Sequence, residues 1–179
     1  MTEPLHNILS DTSYAKPAVT PLMRAAARSD LQQVRDLLKA GAGINDRDAS
    51  GWTALMYAAA TWKAEAVPVL LEAGSDPDYA SPSGDTGLLA RASFGRFSAE
   101  LVRAGAKINH QNRAGLSALM LLARLANPKE VADALQAGAD PCLRDTAEGA
   151  TLDFVPVKER NDCSPPPGSN NHDFLIRWT

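Results

Sequence analysis

Apolar side chains recur between residues 31 and 38 at the spacing of one helical face, formed by Leu31, Val34, Leu37 and Leu38. This pattern predicts an amphipathic helix that buries one stripe of its surface. Upstream of it, Thr20 precedes Pro21, which indicates a first helix with an N-cap residue and a proline at its first position. Polar stretches rich in turn formers predict extended loops or hairpins between helix pairs, at residues 46–52, 79–85 and 111–116.

The whole pattern returns with a period of about 33 residues. Related strings begin at residues 20, 53, 86 and 117, and read TPLMRAA, TALMYAA, TGLLARA and SALMLLA. Leucines keep this register with spacings of 33, 33, 31 and 33, at Leu22, Leu55, Leu88, Leu119 and Leu152. Glycines where each second helix must end have spacings of 33, 31 and 33, at Gly41, Gly74, Gly105 and Gly138. A fixed period predicts a stack of helix pairs, and such stacks usually present a continuous surface rather than a catalytic pocket.

From about Val19 to about Val155 the chain resembles the ankyrin-repeat family. It matches the family in its turn glycines, its repeated threonines and its paired leucines, at Gly51, Gly84, Gly115, Thr20, Thr53, Thr86, Leu37–Leu38 and Leu70–Leu71. It departs from the family where a histidine is usual, because those positions hold Met23, Met56, Leu89 and Met120. The resemblance implies an all-α ankyrin-repeat solenoid of about four helix-pair repeats with hairpin-like loops and a C-terminal cap. The last unit begins at Leu152 and lacks the Ala-Gly string, so it is a cap or a partial repeat. The expected organisation is an N-terminal arm (1–18), the repeat domain (19–155) and a Pro-rich tail or cap (156–179).

The charge balance restricts the partners. A net charge of −3 and a pI near 5.6 argue against sequence-independent nucleic-acid binding. No apolar run is long enough to span a bilayer, and the first twenty residues do not have the pattern of a secretory signal. We therefore expect a cytoplasmic protein, or a periplasmic or secreted one if a signal was removed.

Several strings imitate catalytic or metal motifs. Asp85-Thr86-Gly87 matches the aspartic-protease tripeptide, but Thr86 is in repeat register and Asp85 stands at a variable position. The histidines are isolated in sequence from other ligand types and are expected in exposed loops or tails, at His6, His110 and His172. These observations predict a protein that is not an enzyme and that has no cofactor and no metal.

The internal methionines all occupy one repeat position, at Met23, Met56 and Met120. A row of thioethers suits a soft metal such as Cu(I). The preferred interpretation is that these adaptable side chains fill the contact between repeats.

The two cysteines are Cys142 and Cys163. Cys142 stands where the other repeats have Asn45, Asp78 and Asn109. A disulfide to Cys163 would fasten the tail to the last full repeat in an oxidising compartment, whereas free thiols are expected otherwise.

Carried over by register from the family's variable positions, the expected partner-binding residues lie at the hairpin tips and at the ends of the first helices. They are Arg28, Trp52, Thr61, Asp85, Phe94, Arg113, Leu116, Arg124 and Leu125. Aromatic and arginine side chains are the usual energetic anchors of interfaces. Trp62, which replaces a glycine of the family, is expected either to bind or to cover the contact between repeats.

The third repeat is two residues short between Gly95 and Leu101, so its second helix starts late or its turn is cut. The sequence as a whole predicts a non-catalytic protein-binding module that uses a concave face. We expect a small stand-alone adaptor, inhibitor or immunity-type protein, or alternatively the regulatory subunit of a separate enzyme.

Overall fold

The computed structural model describes residues 18–125 and 127–143, which form eight helices in four consecutive pairs and contain no strand. The pairs are α1 (Pro21–Ala27) with α2 (Leu31–Lys39), α3 (Ala54–Ala59) with α4 (Ala66–Glu72), α5 (Gly87–Ala92) with α6 (Ala99–Arg103), and α7 (Ala118–Arg124) with α8 (Pro128–Gln136). The predicted all-α solenoid is confirmed. The arm, the cap at Leu152, the Pro-rich tail, His6 and His172 lie outside the described residues.

Two layers of helices build the stack. Each first helix packs on the first helix of the next pair, and the second helices α2, α4 and α6 pack in the same order. The leucines of the repeated strings fill the space between the layers, where Leu22, Leu55, Leu88 and Leu119 are all buried. The core is therefore continuous along the stack and each repeat depends mainly on its neighbours.

Each first helix begins at a side-chain cap. The hydroxyl groups of Thr20, Thr53, Thr86 and Ser117 accept a hydrogen bond from the amide three residues later. In the first and fourth repeats the methionine at that third position closes the cap, because the Sδ atoms of Met23 and Met120 accept from the N-cap amides at 3.3 and 3.4 Å. All three internal methionines are buried, which agrees with a packing role.

A ladder of polar side chains joins adjacent repeats beyond the second helices. Asn45 Oδ1 accepts from the amide of Asp76 at 3.1 Å, Asp78 Oδ1 from Lys107 at 2.7 Å, and Asn109 Oδ1 from Asp140 at 2.8 Å. Each acceptor stands at the same repeat position. The fourth position of the ladder holds Cys142, which is disulfide-bonded. Its predicted partner Cys163 lies outside the described residues, so the pairing stays a prediction.

The stripe predicted on α2 is less buried than expected. Val34 is fully buried, whereas Leu31, Leu37 and Leu38 are only partly buried against the core. Leu70, the repeat equivalent of Leu37, is fully buried. The reason is position, since α4 packs between α2 and α6 while α2 contacts only one other second helix within the described ranges.

The short third repeat has a second helix that starts late. Helix α6 has five residues where α4 has seven, and Ser98 caps it by accepting from the amide of Leu101. Glu130 of the next repeat holds the segment before α6, because its Oε2 accepts from the amide of Phe97 at 2.6 Å. The deletion is therefore absorbed ahead of the helix and compensated by a contact from the fourth repeat.

Candidate partner-binding surface

The three hairpins share one closing device. In each hairpin the side chain of the residue five positions before the helix cap accepts hydrogen bonds from backbone amides across the turn. The accepting residues are Asp48, Ser81 and Asn112. The backbone of the same residue is paired across the turn with the residue before the helix cap. This repeated lock fixes the residues at the hairpin tips, among them the predicted Trp52, Asp85 and Leu116.

Trp52 is held from two directions. Asp48 Oδ1 accepts from its amide at 2.8 Å, and its ring packs edge-on against Tyr57 at a centroid distance of 5.3 Å. The hydroxyl of Tyr57 donates to Asp48 Oδ2 at 2.7 Å. Trp52 is only partly exposed, and it presents a preorganised aromatic edge rather than a free side chain.

The Asp48–Tyr57 pair has coupled ionisation. Burial raises the pKa of Asp48, but the hydrogen bonds from Tyr57 and from three backbone amides outweigh it and lower the pKa below its ordinary value. The hydrogen bond to Asp48, together with burial and the negative charge of Asp48, raises the pKa of Tyr57 from 10.0 to about 12. At neutral pH the pair is therefore a carboxylate that accepts from a neutral phenol.

Asp85 and Arg113 lie where the second and third hairpins meet. Asp85 accepts from the hydroxyl of Ser83 at 2.6 Å and from the side-chain amide of Asn112 at 2.8 Å. The backbone amide of Arg113 donates to the carbonyl of Ser83 at 2.9 Å. The residue is exposed at the surface. Asp85 thus helps to join two hairpins, which accounts for this carboxylate without any protease chemistry.

His110 is not the exposed loop histidine that the sequence predicts. It is partly buried, and its Nε2 lies 2.8 Å from the carbonyl oxygen of Gly84. Because a carbonyl can only accept, this ring nitrogen donates. The prediction was wrong because the partner belongs to the preceding hairpin, 26 residues away.

The ends of the first helices present the second group of predicted residues. Arg28, Thr61, Phe94 and Leu125 hold equivalent repeat positions there, and Arg124 immediately precedes Leu125. Thr61 serves the fold, since its hydroxyl donates to the carbonyl of Ala58 and accepts from the amide of Ala64. The side chains of Phe94 and Leu125 are exposed instead.

Trp62 lies in the same turns, and the sequence left open whether it binds a partner or covers the contact between repeats. It is the most exposed large hydrophobic side chain of the described residues. The guanidinium carbon of Arg96 stacks over its ring at 4.1 Å from the centroid, and Arg96 also pairs with Glu130 at 3.4 Å. The signal available in the sequence was the replacement of a usual glycine by the largest side chain.

Arg91 stands where the family prefers a small residue. Its side chain is buried, and one guanidinium nitrogen donates to the carbonyl oxygens of Thr61 and Trp62 in the preceding repeat. Burial, and then the nearby charge of Arg96, lower its pKa, whereas Glu130 and Glu100 act in the opposite direction. Arg91 therefore fastens the turn that presents Trp62.

The charges on the two layers differ. The first helices contain three arginines and no acidic residue, whereas the second helices carry all the helical acids, namely Asp36, Glu72, Glu100, Glu130 and Asp133. In the described ranges the salt bridges join Lys63 to Glu65, Arg96 to Glu130 and Lys107 to Asp78, so Arg28, Arg113 and Arg124 are in none of them. The first helices are thus basic, although the chain as a whole has a net charge of −3.

The structure therefore places the predicted residues in two groups at opposite ends of the first helices. Trp52, Asp85, Arg113 and Leu116 belong to the hairpins, and the others to the C-terminal ends of the first helices and the turns that follow them. Between the groups lie Tyr57, Ala90 and Leu121, which share one repeat position that sequence reasoning did not select. That these residues bind a partner stays a prediction.

The sequence also makes predictions about metal sites and membrane-spanning helices. Within residues 18–125 and 127–143, no group of three or more His, Cys, Asp or Glu side chains is placed to hold a metal ion. None of the helices in these ranges has the length and hydropathy needed to cross a bilayer.

Part of the chain matches a known protein family. A family model described as ankyrin repeats (3 copies) matches residues 5–81, and the helix pairs of the structure continue beyond it to Gln136. No curated protein matches the chain significantly.

Proposed function

The chain is an ankyrin-repeat protein, a protein–protein interaction module, and from that premise we propose that it acts by capturing one protein partner on its first-helix side. The proposed role is that of an adaptor, inhibitor or immunity-type protein that covers its partner's surface without catalysing a reaction. One observation carries the proposal. Phe94 and Leu125 occupy equivalent positions in adjacent repeats, and both residues are more than half exposed, at 57% and 52%.

The energetics require a partner that contacts several repeats. Full burial of a large apolar side chain contributes about 1.5–3 kcal/mol. Phe94 and Leu125 are already about half buried, so a partner gains roughly 0.8–1.7 kcal/mol from each. Association itself costs about 4 kcal/mol or more in lost translational and rotational freedom. These two anchors alone do not offset that cost, and contacts to the hairpins and to the arginines must supply the rest.

The partner and its binding face are tested in sequence. The purified chain is used to recover a partner from its native host, and the dissociation constant of the purified complex is then measured by calorimetry. Phe94→Ala and Arg124→Ala, made singly, should each weaken the complex by about tenfold, which corresponds to about 1.4 kcal/mol. Arg103→Ala, an exposed arginine of α6 on the second-helix side, is the matched control and should leave affinity unchanged.

The outcome also separates the two roles. Loss of the partner's activity in the complex supports an inhibitor, whereas activation of a partner enzyme supports the regulatory-subunit alternative. Binding that survives both first-helix substitutions but is abolished by Arg103→Ala would place the surface on the opposite side of the stack.

A further inference from the structure

The three exposed large hydrophobic side chains of the described residues lie in corresponding turns of the stack. Trp62, Phe94 and Leu125, with exposures of 71%, 57% and 52%, all stand in the turn between the two helices of their repeat, in three consecutive repeats. We call these three residues the turn row. Phe94 and Leu125 hold equivalent repeat positions, and Trp62 stands one residue further along its own turn. Single exposed apolar residues are ordinary, but exposed residues in the corresponding turns of consecutive repeats form one extended surface.

The turn row is held in place by contacts that cross repeats. Arg96 covers one face of the Trp62 ring and is itself fixed by Glu130, whose other oxygen accepts from the amide of Phe97. Leu125 lies against Gly95, where an added Cβ would be 3.4 Å from its Cδ1. These contacts restrict the side chains before binding, so an occupant would lose less entropy in ordering them.

The row is basic at both ends. Arg28 holds the equivalent turn position in the first repeat, and Arg124 directly precedes Leu125. Both guanidinium groups are exposed and neither is in a salt bridge within the described part of the chain. The first helices next to the row contain no acidic side chain. The turns themselves carry Asp30, which caps α2, and Glu65, which pairs with Lys63. Arg28 and Arg124 add positive charge beyond these pairs, which favours an acidic occupant over a basic one.

The spacing of the row restricts its occupant. Packed helices lie about 8–10 Å apart, so neighbouring anchors are separated by about that distance. A polyproline-II segment rises about 3.1 Å per residue and returns to the same face every third residue, whereas a helix needs about seven residues to cover the same length. Apolar side chains repeated at either interval on one face of a segment would match the row.

Resting on the proposed function, we propose that the occupant of the turn row is an acidic segment of a protein partner that inserts apolar side chains at Trp62, Phe94 and Leu125. Its carboxylates pair with Arg28 and Arg124. The segment runs along the stack and contacts one anchor in each repeat.

A display library of short random peptides provides the probe. Peptides selected on the full chain should be enriched in Asp and Glu and should carry apolar residues at intervals of three or seven. A synthetic peptide from the selection, measured by fluorescence anisotropy, should bind at least tenfold more weakly to Phe94→Ala and to Arg124→Glu. The matched control Arg103→Glu, on the second-helix side, should bind as the parent does, and rising salt should weaken the parent's binding.

The results separate this inference from the proposed function. Selected peptides that are basic, or that bind Phe94→Ala and Arg124→Glu as well as the parent, overturn the inference. A labelled single-stranded oligonucleotide that binds more tightly than any selected peptide, and is released by Arg124→Glu, also overturns it. If no peptide is selected while a folded partner is recovered and is sensitive to Phe94→Ala, only the inference fails. If neither is found, both fail.

Discussion

Gly84 combines two constraints that a single substitution can test. Its φ is +84°, and an added Cβ would lie 2.9 Å from the amide nitrogen of Arg113 and 2.9 Å from the Cα of Asn112. These are backbone atoms of the next hairpin, so the contact cannot be relieved by a side-chain rotation. Gly74 provides the matched control, because its φ is +93° and an added Cβ there would meet no atom within 4 Å.

The magnitudes follow from separating the two constraints. A non-glycine residue in the left-handed region costs about 1–2 kcal/mol, of which about 0.4–1 kcal/mol is offset by the lower entropy of the unfolded chain. Gly74→Ala should therefore destabilise the protein by about 0–1.6 kcal/mol. Overpacking between hairpins adds about 1–3 kcal/mol at Gly84, which gives about 1–4.6 kcal/mol for Gly84→Ala.

Urea unfolding followed by far-UV circular dichroism measures both variants. Gly84→Ala should be less stable than Gly74→Ala by about 1–3 kcal/mol. Amide exchange at Arg113 should also accelerate in Gly84→Ala, since this amide donates to the carbonyl of Ser83 across the same contact. Equal stability of the two variants would show that the hairpins separate without cost and that close approach is not a constraint.

Three further predictions concern the core, ionisation and the cysteines. Leu70→Ala should lower the free energy of unfolding, measured in urea, by about 2–5 kcal/mol, because Leu70 is fully buried. A loss no larger than that of a surface substitution would contradict the fold. The pKa of Asp48 is lower in the folded chain than in the unfolded chain, so this carboxylate should stabilise the fold above its unfolded pKa. That stabilisation should be lost as the pH falls through the folded pKa, and the loss should be absent in Asp48→Asn. The raised pKa of Tyr57 predicts stability lost as pH rises from about 10 towards 12, and near-UV absorbance should show one tyrosine titrating late in the parent but not in Asp48→Asn. If Cys142 and Cys163 are bridged, protein isolated from its native compartment should show no free thiol when denatured without reductant, and two titratable thiols would refute the pairing and favour a reducing compartment.

The features that depend on the repeat were predictable from the sequence, and those that depend on neighbours were not. The caps at Thr20 and Ser117 follow from local letters, and the structure has them where the repeat register puts them. Leu37 and Leu70 have the same local pattern, yet only Leu70 is fully buried, because burial depends on how many helices flank the one that carries it.

Trp62 shows the same limit in the binding surface. The sequence left two outcomes open for this side chain, binding a partner or covering the contact between repeats. Its exposure is determined by Arg91, which fastens the turn, and by Arg96, which stacks on one ring face. Arg96 is in turn placed by Glu130, 34 residues further along the chain. No local sequence pattern indicates this chain of contacts from Glu130 through Arg96 to Trp62.

The polar ladder also determines where this chain tolerates changes in length. Its rungs join residues that are 31, 29 and 31 apart, and the two-residue deletion of the third repeat leaves the middle rung intact. That deletion falls ahead of α6, between the last turn of one helix and the cap of the next. Insertions between the first and second helices of another repeat should therefore be accommodated. An insertion between the glycine that ends a second helix and the following rung residue would instead move the accepting side chain away from its amide. The ladder therefore fixes the length of each repeat after its second helix, whereas the turn between its two helices is the part that can vary in length.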